Sequence, residues 1–207
     1  FKTNGSKVQK QLEDAGIACF PDDGSGVEAG ISVMVASTAI EESHPAFQKA
    51  KTLGIPVKHR SEILAEIALS CKTIAVSGTS GKSTVTAMVY HVLDCAGLSP
   101  SLITGAGLVS LERLGKIGNA VAGNGEWLVI EADESDGSLV RYFPDIGIIL
   151  NVDKDHKEIS ELEEIFQKFS ENIKERNGVL FANGDNLLAA KYVSNRLNLF
   201  GKEQSYG

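Results

Sequence analysis

Between Thr73 and Thr84 the chain reads Thr-Ile-Ala-Val-Ser-Gly-Thr-Ser-Gly-Lys-Ser-Thr, an apolar run, a turn with two glycines, and a lysine that opens a helical pattern. Ile74, Ala75 and Val76 suit a buried strand, while Val85, Met88, Val89, Val92 and Leu93 recur at helical spacing beyond the turn. A strand that enters a helix through such a turn aims several backbone N–H groups and the positive end of the helix dipole at one point. Lys82 adds a full charge there, and the Ser83 hydroxyl stands beside it. These groups suit a nucleoside triphosphate and its magnesium ion. The spacing departs from the usual P-loop, because Val76 stands where that pattern has its first glycine and Gly78 carries the turn instead. A plain glycine turn with Lys82 as a solvated surface charge is the competing reading. The strand and helix on either side weigh against it.

Strand-like and helix-like segments alternate along the whole chain, which predicts an α/β fold. A small Rossmann-like N-terminal unit is expected over residues 1–70, followed over residues 71–207 by a P-loop-type, mostly parallel sheet flanked by helices. In the first unit strands are expected at Gly16–Phe20, Ile31–Ala36 and Ile55–Val57, with helices at Glu42–Leu53 and Ser61–Ala68. In the second, strands are expected at Ser101–Thr104, Trp127–Ile130, Ile146–Leu150 and Gly178–Ala182, with a long functional loop or irregular strands over Gly105–Gly125. A helix should start at Ser160, with Glu163 completing a capping box and Leu162, Ile165, Phe166, Phe169 and Ile173 forming its apolar stripe.

Two strand ends carry chemistry. Trp127–Ile130 runs into Glu131-Ala132-Asp133-Glu134-Ser135-Asp136, and Ile146–Leu150 into Asn151-Val152-Asp153-Lys154-Asp155-His156. Ligands of open parallel sheets gather at the carboxyl ends of strands, so Glu131 is the first candidate to hold a metal beside the phosphate turn. The other acids of that run are weaker candidates, because helix capping or solvation explains them equally well. His156 is a possible second metal ligand, with Asp155 behind it. His44, His59 and His91 have no comparable setting, and His91 reads as structural.

A net charge of −7 on 207 residues argues against a general nucleic-acid surface. No stretch reaches the roughly 20 apolar residues needed to cross a bilayer, so no membrane insertion is expected. Cys19, Cys71 and Cys95 form no Cys-x-x-Cys pair and read as reduced, mostly core residues of a cytoplasmic protein. Gly-x-Ser-x-Gly and His-Glu-x-x-His motifs are absent, which removes the corresponding hydrolase and zinc chemistries.

Taken together, these residues resemble the Mur ligase family, which builds the peptide stem of peptidoglycan. The family's loop, Gly-Thr-x-Gly-Lys-Thr/Ser-Thr, is similar to Gly78–Thr84, and its Glu-Ala-Asp-Glu-Ser-Asp and Asp-His motifs are similar to residues 131–136 and Asp155-His156. Asn119-Ala120, Ser37-Thr38-Ala39-Ile40, Ile55-Pro56-Val57 and Arg60-Ser61-Glu62 add further similarity. Ser80 replaces the usual His or Asn of the loop, and Lys7 stands where an Asp often follows Gly-Ser. Glu171 lies in the region where several sister ligases carry a carbamylated lysine, which fits the alanine-adding branch better.

The resemblance implies ATP and Mg²⁺ as cofactors, with UDP-N-acetylmuramate and an amino acid or short peptide as substrates. ATP would phosphorylate a carboxylate, and an amine would displace the phosphate to give an amide. Gly78, Thr79, Ser80, Gly81, Lys82, Ser83 and Thr84 would bind ATP. Lys82, Glu131 and His156 would be catalytic, Ser83, Glu131 and His156 would hold metal, and Ser37, Thr38 and Asn119 would meet the sugar substrate. A peptide-recycling muramyl ligase and a non-catalytic ATP-binding module are the alternatives. Family members carry a third, amino-acid-binding domain, which this chain is expected to lack together with its first strand. Lys82→Ala is expected to remove most ATP affinity and to spare the fold.

Overall fold

The computed structural model describes residues 7–37, 39–154, 158–193 and 199–201. The N-terminal part holds helix α1 (Lys7–Asp14), strand β1 (Met34–Ala36), helix α2 (Pro45–Thr52), strand β2 (Val57–His59) and helix α3 (Arg60–Ser70). β1 and β2 pair in parallel, Met34 opposite Val57. The expected strand at Gly16–Phe20 is absent; Ile17 and Phe20 lie exposed in irregular chain. Pro45 sets the start of α2 later than expected. It sits in the first turn, where its missing N–H costs nothing, and the His44 side chain caps the helix by accepting from Ala46 N. α3 carries a capping box, with Ser61 N donating to His59 and His59 N donating to the Glu62 carboxylate.

The larger part continues with β3 (Lys72–Ser77), α4 (Lys82–Cys95), β4 (Ser101–Ile103), α5 (Val109–Arg113), β5 (Ala120–Val121) and β6 (Trp127–Glu131). A 3₁₀ turn (Ser138–Arg141), β7 (Ile146–Ile149), α6 (Ile159–Glu175), β8 (Val179–Asn183), α7 (Leu187–Ala190) and β9 (Leu199–Phe200) follow. Among the described residues β3 to β9 form one sheet in the order β5-β4-β6-β3-β7-β8-β9. Every pairing is parallel except that of β4 with β5, so the fold expectation holds. The stretch expected as a long functional loop or irregular strands contains the helix α5 and the short antiparallel strand β5.

β6 shows why the sheet is covered on both faces. Leu128 and Ile130 point into a core shared with Phe166, Phe169 and Ile173 of α6, while Val129 between them packs with Tyr90 of α4 and Leu102. That is the two-residue period of a strand buried on both sides. α6 begins one residue earlier than expected, with Glu158 at its N-cap. Ser160 is therefore already inside the first turn and makes no cap. The stripe itself is as read, with Leu162, Phe166, Phe169 and Ile173 buried. The cysteine expectation fails on burial: all three are free, but Cys19 and Cys71 are half-buried and Cys95 is exposed.

Candidate active site at the sheet switch point

After β3 the chain goes to β4 and returns to β6 on one side, then crosses to β7 on the other. β3 is thus the strand at which the order reverses, and the carboxyl ends around it form a crevice suited to ligands. Four adjacent strand ends meet there: Thr104 after β4, Glu131 closing β6, the turn Gly78–Gly81 after β3, and the residues after β7.

The turn is short because β3 runs on through Val76 and Ser77, which pair with Ile148 and Ile149 of β7. This explains the broken glycine spacing: Val76 is fully buried strand, not loop. Gly78 has φ 135°, and a Cβ there would lie 3.0 Å from the backbone N of Asn151. Gly81 has φ 83° at the N-cap of α4, a left-handed conformation open to glycine at little cost. Asn151 pins the turn. Its Oδ1 accepts from Ser80 N at 2.9 Å, its Nδ2 donates to Ser80 O at 3.1 Å, and its backbone O accepts from Thr79 N at 3.1 Å. Thr79 Oγ1 also accepts from Asp153 N at 3.0 Å.

Lys82 folds back over its own turn. Nζ donates to Gly78 O at 2.8 Å, pairs with Glu134 at 2.9 Å and lies 3.5 Å from Asp133. Glu134 is only 5% exposed, so the ion pair is largely desolvated. Burial works against the Lys82 ammonium, but the Glu134 and Asp133 carboxylates outweigh it and hold its pKa above the ordinary lysine value. Burial pushes Glu134 up against the pull of Lys82. Burial also pushes Asp133 up, yet the Ser135 N–H and Lys82 prevail and bring it below the usual carboxylate range.

Glu131 is held by three donors. Ser83 Oγ reaches Oε1 at 2.9 Å, while Thr104 Oγ1 and Gly105 N both reach Oε2 at 2.7 Å. Ser83 and Glu131 come together as expected. Two hard oxygens 2.9 Å apart match neighbouring ligands of an octahedral cation with metal–oxygen distances of roughly 2.0–2.1 Å. The donor set therefore fits magnesium. Beside Ser83 opens a cavity of about 550 Å³, lined among others by Thr84, Met88, His91, Ala106 and Val109. His91, read as structural, lies on this exposed wall.

The remaining expected site residues divide as follows. Asn119 is exposed, and its backbone O accepts from Thr104 N at 3.0 Å. Ser37 is half-buried just beyond β1. His156, with Asp155, and Thr38 lie outside the described residues. Among the described residues no group of three or more His, Cys, Asp or Glu is arranged to hold a metal. Sequence reasoning passed over Thr104 and Gly105 and gave Glu134 little weight. The rule that singled out Glu131, a polar residue directly after an apolar strand, also points to Thr104 and Asn151.

Residues 76–206 match the Mur ligase middle domain, and residues 1–71 match the family described as Mur ligase family, catalytic domain. The chain belongs to the Mur ligase family. A UDP-N-acetylmuramate–L-alanine ligase from Carboxydothermus hydrogenoformans is 38% identical over 184 residues, 84% of this chain and 39% of that protein. One from Syntrophomonas wolfei is 32% identical over 99% of this chain and 46% of its own length. This Mur ligase chain thus spans less than half the length of these relatives. Among solved structures, the UDP-N-acetylmuramate-alanine ligase of Thermotoga maritima superposes with a TM-score of 0.79 at 25% identity, over 94% of this chain and 44% of the other. A UDP-N-acetylmuramate:L-alanyl-gamma-D-glutamyl-meso-diaminopimelate ligase from Neisseria meningitides shares the fold, with a TM-score of 0.78 at 22% identity, over 92% of this chain and 64% of the other.

Proposed function

We infer that this chain is the nucleotide-handling part of an ATP-dependent ligase that joins the carboxylate of UDP-N-acetylmuramate to L-alanine in peptidoglycan precursor synthesis. The observation that carries the reading is the meeting of the Gly78–Thr84 turn, Lys82, Ser83 and Glu131 at the switch point of the sheet. The curated relatives supply the substrates, and the reading places the reaction in the cytoplasm.

The chemistry brings two anions together, a carboxylate and the γ-phosphate. At 4 Å their repulsion is roughly 4 kcal/mol at an effective dielectric near 20. The residues present offset it. The amides of Gly78–Thr84 cradle the phosphates, and Lys82 spans the β- and γ-positions once it exchanges carboxylate partners for phosphate oxygens. Ser83 and Glu131 would hold Mg²⁺, which supplies charge neutralisation between phosphate and carboxylate oxygens. His156 is proposed to hold a second ion. The γ-phosphoryl group passes to the carboxylate, and the amine of alanine then displaces phosphate to form the amide. Residues 1–70 are proposed to bind the UDP-sugar, with Ser37, Thr38 and Asn119 among its contacts.

Phosphate release from ATP tests this reading, measured with UDP-N-acetylmuramate and either L-alanine or an L-alanyl tripeptide. It should be run on this chain and on one extended to the relatives' full length. Alanine-dependent release by the longer protein is expected. Release only with the tripeptide means the peptide-recycling ligase. ATP binding without release in either protein means a non-catalytic module.

A further inference from the structure

We propose that Thr104 is a positioning residue whose hydroxyl fixes the Glu131 carboxylate for a divalent cation beside the bound nucleotide. The proposal rests on the cation role of Ser83 and Glu131 inferred above. Thr104 is 6% exposed at the tip of β4. β4 pairs with β6 so that Ile103 lies opposite Ile130. The next residues on each strand, Thr104 and Glu131, therefore emerge side by side. Thr104 N is itself anchored, donating to Asn119 O at 3.0 Å on the antiparallel edge of the sheet. The hydroxyl is thus held by a fixed backbone and donates to Glu131 Oε2 at 2.7 Å.

The geometry divides the carboxylate between two tasks. Oε2 takes both Thr104 Oγ1 and Gly105 N, while Oε1 faces Ser83. A carboxylate offers about four lone-pair positions. Two donors on one oxygen set the plane of the group and leave the other oxygen directed at the cation position. Without the Thr104 hydroxyl, Oε2 would keep Gly105 N as its one donor, and the plane of the carboxylate would be set less firmly on the side away from Ser83. A free glutamate side chain would also lose rotamer freedom at the moment of cation binding, whereas this one has lost it on folding. Partners that orient a metal ligand typically change metal affinity by about 10–100-fold. Because the Gly105 bond survives loss of the hydroxyl, the lower end applies.

Mn²⁺ binding to the chain in the presence of ADP, followed by electron paramagnetic resonance, tests the proposal. Thr104→Ala should weaken Mn²⁺ by about tenfold. Thr104→Val, which keeps the volume, should behave the same way, and Thr104→Ser should stay close to the parent chain. ADP affinity in EDTA should be unchanged in all three. Glu131→Gln serves as the reference. If Glu131→Gln loses Mn²⁺ while both Thr104→Ala and Thr104→Val retain it, Thr104 only packs and the inference fails alone. If Thr104→Ser is as weak as Thr104→Ala, side-chain volume and not the hydroxyl matters, and the inference also fails. If Glu131→Gln keeps full Mn²⁺ affinity, the cation reading itself falls and takes this inference with it.

Discussion

Lys82 is the natural residue to remove when testing nucleotide binding, but the structure predicts that doing so also damages the fold. Its ammonium lies 2.9 Å from a Glu134 carboxylate that is 5% exposed. At that separation the gross attraction is about 6 kcal/mol at an effective dielectric near 20. Desolvation of both ions cancels much of it, yet removing one partner strands the other, which typically costs about 3–5 kcal/mol. Asp133 and its partial exposure soften the change little, since the stranded group is Glu134. Lys82→Ala should therefore lose about 3 kcal/mol at pH 7, and Lys82→Ala with Glu134→Gln should lose clearly less than the sum of the single changes.

The pH dependence has a definite sign. Burial raises the folded pKa of Glu134, and Lys82 opposes that rise. Without Lys82 the rise is larger. A carboxyl whose folded pKa is raised favours the native state below its unfolded pKa, and that advantage is lost as pH climbs through the folded value. The deficit of Lys82→Ala should thus shrink between pH 7 and pH 5. Urea denaturation of the parent, both single variants and the double variant at the two pH values measures this. A Lys82→Ala chain as stable as the parent at pH 7, with no pH-dependent difference, would refute the buried ion pair.

Gly78→Ala should cost about 1–3 kcal/mol and weaken ATP binding, because a Cβ at φ 135° is strained and meets the Asn151 backbone at 3.0 Å; thermal unfolding and calorimetry read both effects. Arg60→Ala removes the 3.1 Å ion pair to Asp136 that joins the N-terminal part to the acidic run, yet the exposed arginine side chain predicts a loss below about 1 kcal/mol in denaturant.

Periodicity alone was enough for the α/β class, the long helix α6 and the central strands, since an apolar run or stripe is a local property of the chain. The phosphate turn was legible for the same reason: a strand, two glycines and a lysine are contiguous. Glu131 could be picked out because it directly ends an apolar run. Tertiary structure decided everything that depends on register. The hydroxyl of Thr104 and the carboxylate of Glu131 are 27 positions apart, and Lys82 and Glu134 are 52 apart. Only the parallel pairing of β4, β6 and β3 brings them within hydrogen-bonding distance. Burial of Glu134 was equally invisible, since an acidic run reads as solvated until the surrounding fold excludes water from one member. The N-caps at His44 and Glu158 belong to the same class, because several neighbouring residues can start a helix and the packing of the whole selects among them.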